Sequence, residues 1–180
     1  MTEAYELTAT EGLKAVEAGN LTAEAWTASC FERIEDREEA VLAWEYLDRD
    51  GALAHARAID RSGNNGPAKG VPFGAKDIID THDMPTCYGS PIHAGNQPSR
   101  DAGCVAITRS AGAVLLGKTV TTEFGHRFPG KTRNPFNPAF TPGGSSSGSA
   151  SAAAGVGPSS VKPSAKRGSS GRSTRPIAAT

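Results

Sequence analysis

The sequence predicts an α/β fold. Three observations carry that prediction: segments with helical apolar spacing in the first sixty residues, a strand-length apolar run Ala113-Val-Leu-Leu-Gly-Lys-Thr-Val120, and a helix-like stretch over 101–112 that leads directly into it. A chain of 180 residues, 37% hydrophobic and 21% charged, is long enough to bury one core.

Thr8-x-x-Glu11 has the form of a capping box, in which a hydroxyl and a carboxylate each satisfy a free amide at a helix start. The segment it opens closes at Gly19-Asn20, a good helix stop. Thr22 can cap a second helix, in which Trp26, Cys30 and Ile34 recur at helical spacing beside Phe31, ending before the charged segment Glu35 to Glu39. A third helix is expected over 52–59, and all three read as scaffold. Residues 61–70 are dense in turn formers and read as a surface loop. Val71-Pro-Phe-Gly-Ala-Lys-Asp-Ile-Ile79 follows, apolar around a single lysine, and its later half is expected to be a strand. Asp101 is the expected cap of the helix over 101–112. From Phe128 to Gly148 the chain is broken by Pro129, Pro135, Pro138 and Pro142, which predicts a long loop of the kind that usually serves a function. Ser147 to Ala154, rich in small residues, is suited to a closely packed helix.

No apolar run approaches the ~20 residues of a membrane span, and the acidic start of the chain is unlike a signal peptide. A cytoplasmic protein without membrane contact is therefore expected. Cys30, Cys87 and Cys104 are far apart, odd in number and in no C-x-x-C arrangement, which reads as reduced packing cysteines rather than a disulfide frame or zinc site; no metal or cofactor is expected. The net charge of zero hides an asymmetry. Residues 157–180 hold five basic residues and no acidic one, so the preceding body is acidic by the same amount.

One motif match is misleading. Gly112-Ala-Val-Leu-Leu-Gly-Lys118-Thr119 fits the phosphate-loop pattern letter for letter, yet a phosphate loop follows a strand and opens a helix. Here the intervening residues read as the strand itself, so nucleotide binding is not expected and Lys118 reads as a residue just past a strand end. Lys76 is more informative, because it sits among Val71, Phe73, Ile78 and Ile79. Burial disfavours an ammonium and would lower its pKa toward that of a general base; the alternative is a lysine paired with Asp77 or Asp80. Gly143-Gly144-Ser145-Ser146-Ser147-Gly148 offers backbone freedom next to adjacent hydroxyls, suited to proton relay or nucleophilic chemistry, and equally to a flexible linker.

Gly70-Val-Pro-Phe-Gly-Ala-Lys-Asp77, Gly89-Ser90, Ala111 to Thr119, Glu123-Phe124, Asn134-Pro135 and Thr141-Pro-Gly-Gly-Ser-Ser-Ser-Gly-Ser-Ala150 together resemble the amidase signature family in order and interval, over roughly residues 5 to 155. The resemblance implies a mixed β-sheet covered by helices and a Ser-cisSer-Lys triad that hydrolyses a small-molecule carboxylic acid amide through a serine acyl-enzyme. Lys76 matches the family's lysine and Ser145 its bridging serine, with Gly143, Gly144 and Ser146 in the backbone loop at the substrate. The family spans general amidases and A-type subunits that release ammonia from glutamine for tRNA-dependent amidation; a general amidase is the first expectation and the A-type subunit the alternative.

The family's nucleophile lies about two dozen residues past the bridging serine, in a segment resembling Gly-Thr-x-Thr-Gly-Gly-Ser-Ile/Val-Arg, and no such segment is present. By distance the equivalent is Ser169, by local pattern Ser173, and neither follows a Gly-Gly pair. The expectation is thus an N-terminal amidase portion over 1–156 and a basic, Ser/Pro-rich tail over 157–180, non-native or disordered, as a frameshifted reading would produce; such a truncated chain would be inactive. A non-catalytic small protein whose basic tail binds nucleic acid or a partner is a competing reading, though the tail lacks interleaved aromatics. Nothing in the sequence sets an oligomeric state.

Overall fold

Three strands form a mixed sheet in the order β1-β3-β2, with β1 over Trp44–Leu47, β2 over Pro72–Lys76 and β3 over Val114–Thr119. The structure is a computed structural model and describes residues 3–63 and 66–156. β1 runs antiparallel to β3 with Leu47 opposite Gly117, and β2 runs parallel to it with Phe73 opposite Leu115 and Lys76 opposite Thr119. Parallel neighbours need a crossover, and α4 (Gly103–Ser110) lies within it.

β3 is buried along its whole length, which is why it reads as a continuous apolar run rather than an alternating one. Successive side chains still face opposite ways. Val114 and Leu116 join Trp26, Phe31, Ile34, Trp44 and Ile59 in one core, formed with α2 (Ala23–Val41) and α3 (Arg49–Ser62). Leu115 joins Ala75, Met84 and Val105 in a second core on the other face. α1 (Ala9–Glu17) contributes Val16 to the larger core.

The first helix follows its capping box: Glu11 N donates to Thr8 Oγ1 at 3.2 Å and Thr8 N donates to Glu11 Oε2 at 2.9 Å. Thr22 caps α2 by accepting from Ala25 N. The charged segment Glu35 to Glu39 continues this helix, contrary to the expectation that it would follow the helix end. Ile34 and Val41 keep the buried face while Glu35, Asp36 and Glu39 stay at the surface, and Leu42 closes the helix at φ 54. α3 starts earlier than 52 because Asp48 accepts from Gly51 N and caps it. The short strand β1 is an addition to the elements expected from sequence.

Two further expectations are corrected. The strand in 71–79 occupies its early half, since Ile78 N and Ile79 N both turn back onto Lys76 O at 2.8 Å. Asp101 does not cap α4: its carboxylate accepts from His82 N at 2.9 Å and faces Arg109, leaving Ala102 as a cap without a side-chain bond. The phosphate-loop match is indeed strand, with Lys118 inside β3 rather than past its end, and fully buried. Cys30 is buried, Cys87 half-buried and Cys104 exposed, so the last is not a packing cysteine; all three are free thiols. α5 (Ser147–Val156) realises the small-residue helix. No helix among the described residues is long and apolar enough to cross a membrane.

Candidate active site

Lys76 ends β2, at the same level of the sheet as Thr119 of β3. Its Nζ lies 2.7 Å from Ser145 Oγ, to which it donates. Burial lowers its pKa below the ordinary lysine value, because the local environment solvates an ammonium poorly. The alternative of a pairing with Asp77 or Asp80 is not realised. Asp77 faces Lys118 Nζ at 3.7 Å, and Asp80 accepts from the Tyr88 hydroxyl at 2.8 Å.

Ser145 is delivered by the long loop, and its preceding peptide bond, Gly144-Ser145, is cis. Its carbonyl is held by Thr122 N at 3.0 Å and by Thr121 Oγ1 at 3.3 Å, the two residues that follow β3 and Val120. Gly143 adopts φ 90, a left-handed conformation that favours glycine. Gly144 lies against Thr122, Ser146 is exposed and its carbonyl accepts from Ala150 N at 3.0 Å to start α5. Gly148 then lies so close to the sheet that a Cβ there would overlap both Ala43 O and Val120 N. Its amide donates to Val120 O at 2.9 Å, and Ser149 Oγ lies 2.7 Å from Thr119 Oγ1. The Gly-Ser run is thus an anchored turn into a helix, and the linker alternative falls away.

An acid–base pair of this kind can pass a proton from a hydroxyl to an amine held neutral. Of the expected site residues, Lys76, Ser145, Gly143, Gly144 and Ser146 are brought together. Ser169 and Ser173 lie outside the described residues, as does the whole segment 157–180. Thr121 and Thr122 are additions to the expected set. They carry no sequence signal of their own, since a hydroxyl after a strand acquires meaning only from what folds against it.

Comparison with known proteins supplies the family. The model of the family described as Amidase matches residues 25–161. The chain belongs to this amidase family. Among curated amidase relatives, the glutamyl-tRNA(Gln) amidotransferase A subunit of Chloroflexus aurantiacus is 40% identical over 164 residues, covering 86% of this chain and 34% of the relative. The peptide amidase of Stenotrophomonas maltophilia superposes with a TM-score of 0.76 at 34% identity, over 83% of this chain and 34% of that one. A bacterial aryl acylamidase of the amidase signature family does so with a TM-score of 0.78 at 28% identity, over 86% of this chain and 35% of that one. The mixed sheet with its helices is therefore the amidase signature fold in part, and the chain spans about a third of the length of the curated relatives it matches.

Proposed function

We propose that this chain carries the proton-accepting half of an amide-hydrolysing site, with Lys76 as general base and Ser145 as the relay. The contact that carries this reading is the 2.7 Å approach of Lys76 Nζ to Ser145 Oγ. In the reaction, neutral Lys76 takes the Ser145 proton as Ser145 takes the proton of an attacking serine. That serine bonds to the amide carbon, the amine or ammonia leaves with the returned proton, and water then releases the acid. The candidates for the attacking serine, Ser169 and Ser173, lack the preceding Gly-Gly pair whose amides would hold the oxyanion, so the 180-residue chain is read as inactive by itself. Three free thiols among the described residues fit a reducing, cytoplasmic setting.

Linear amides of small molecules are the first substrate class. A second reading has specific support: curated relatives 40 to 42% identical are A-type subunits of glutamyl-tRNA(Gln) amidotransferases, which makes the side-chain amide of glutamine the other candidate.

Two measurements test this. The Lys76 amine, followed by NMR in 13C-lysine-labelled protein and assigned by its loss in Lys76→Ala, is expected to titrate below the ordinary lysine value; a normal value removes the general base. Incubation with glutamine and with simple aliphatic and aryl amides is expected to release no ammonia or amine. Turnover abolished by Lys76→Ala would overturn the inactivity while supporting the base.

A further inference from the structure

Beside the relay the chain keeps large apolar side chains at the surface. Ile78 follows Lys76 by two residues and is 37% exposed, and Phe124 is 47% exposed. Gly125 lies between Ile78 and the relay: a Cβ on it would be 3.8 Å from Ile78 Cδ1 and 4.0 Å from Ser145 Oγ. The missing side chain leaves a methyl-sized gap between Ile78 and the Ser145 hydroxyl.

The backbone under Phe124 is unusual. Three non-glycine residues among the described residues have a left-handed backbone, and two of them, Tyr88 at φ 55 and Phe124 at φ 49, are bonded to each other, Phe124 N donating to Tyr88 O at 2.8 Å. A bulky residue adopts this conformation where its surroundings impose it, and such positions gather at ligand-binding sites. The His93 ring bridges the two, edge to face with Tyr88 at 5.0 Å and with Phe124 at 5.9 Å between ring centres. The carboxylates next to the rings already accept from hydroxyls, Asp80 Oδ1 from Tyr88 at 2.8 Å and Glu123 Oε1 from Ser90 at 2.8 Å. The bond to Asp80 raises the Tyr88 pKa and keeps the phenol uncharged. What this cluster offers a ligand is aromatic and aliphatic surface.

We infer that Ile78, Phe124 and the His93 ring against it are specificity-determining residues, favouring an amide with an aromatic or branched aliphatic substituent over glutamine. This rests on the Lys76–Ser145 relay being the site of amide hydrolysis, and it names the substrate class there. An aromatic substituent laid against Ile78 and Phe124 removes apolar surface of both partners from water and gains a ring-to-ring contact. The stack with His93 fixes the Phe124 ring before the substrate arrives, so little side-chain freedom is lost on binding. Glutamine carries an α-ammonium and an α-carboxylate, and laying them on this surface costs desolvation without supplying a partner.

Saturation-transfer NMR on the full chain tests this, with phenylacetamide and glutamine as ligands at equal millimolar concentration and the Lys76 titration as a separate check of the relay. Phenylacetamide is expected to receive saturation and to shift the Lys76 amine resonance, whereas glutamine does neither. Phe124→Gly, which suits the left-handed backbone, and Ile78→Ala are each expected to weaken phenylacetamide binding about three- to tenfold. Ile107→Ser, at an exposed apolar residue of α4, is expected to leave it unchanged. Thermal unfolding checks that each variant folds. Should Phe124→Gly not fold, Ile78→Ala decides, and failure of both makes the cluster a folding element and overturns the proposal. Absence of phenylacetamide binding, equal binding by wild type and the folded variants, an equal loss in Ile107→Ser, or a preference for glutamine each overturns it, while a lowered Lys76 midpoint in the same sample leaves the general base standing. An ordinary Lys76 midpoint removes the relay, and this proposal with it, whichever ligand binds.

Discussion

Burial acts on single ionisable groups in opposite directions here. At Lys76 it favours the uncharged amine, which is the form that accepts a proton. At Cys30, packed in the larger core, it favours the neutral thiol and pushes the pKa up to about 12 from an ordinary 9.0. The consequence for stability has a definite sign. The unfolded chain loses the Cys30 proton from pH 9.0 upward while the folded chain retains it until about 12, so the contribution of this group is intact below 9.0 and is lost as pH rises through that window. The slope is about 1.4 kcal/mol per pH unit where only the unfolded thiol is ionised. Urea unfolding of wild type and Cys30→Ala between about pH 8 and 11 checks this: the stability difference between them should shrink with rising pH, and a constant difference would contradict it. For Lys76 the sign is reversed, since a lowered folded pKa makes stability fall as the pH drops through the window between its ordinary and its lowered value.

Among the elements, α5 depends for its placement on a missing side chain, as do α1 at Gly12 and β3 at Gly117. Gly148 brings the helix start onto the backbone of Ala43 and Val120, and both atoms that an added methyl would meet are main chain and have no rotamer to escape into. Gly148→Ala is therefore expected to displace α5, break the Gly148 N to Val120 O bond and destabilise the fold by about 3 kcal/mol or more, in the range of severe overpacking. Loss of the Lys76 pKa depression should accompany it, because Ser145 closely precedes this helix. A variant with wild-type melting temperature and an unchanged Lys76 titration would show that the close approach is not required. The Gly-Gly-Ser run is legible in sequence as a place where backbone must turn tightly. The strand β1 is not legible in the same way: Trp44–Leu47 is only four residues long, and its pairing to β3 includes an irregularity between Trp44 and Tyr46.

At the level of the whole molecule, several large apolar side chains remain at the surface. Ile92 is 79% exposed, Ile107 and Phe128 each 71%, and Phe136 61%. Burial of such surface is favourable by roughly 25 cal/mol per Å², so the molecule is expected to self-associate at micromolar concentration. Sedimentation velocity over a concentration series checks this, with the Phe128→Ser, Phe136→Ser variant expected to associate less. A single monomeric boundary throughout would contradict it.

The α/β class, the caps at Thr8 and Thr22, the buried strand β3, the family and the expectation that Lys76 and Ser145 meet in one site all follow from reading the chain alone. The elements rest on local signals, a hydroxyl three residues before a carboxylate or a run of apolar side chains, whereas the family and the pairing of Lys76 with Ser145 rest on several separated blocks that match in order and interval. Which of two lysines meets which partner is a matter of the folded arrangement. Asp77 stands one residue from Lys76 and far along the chain from Lys118, so sequence proximity favours the wrong pairing, and only the parallel register of β2 with β3 brings Lys118 beside the carboxylate. Lys76 is left for Ser145, sixty-nine residues away, because the loop that carries Ser145 is held down by Thr121, Thr122 and Gly148. Partnerships across the sheet depend on register and on which backbone can approach, and neither is written in the spacing of residues along the chain.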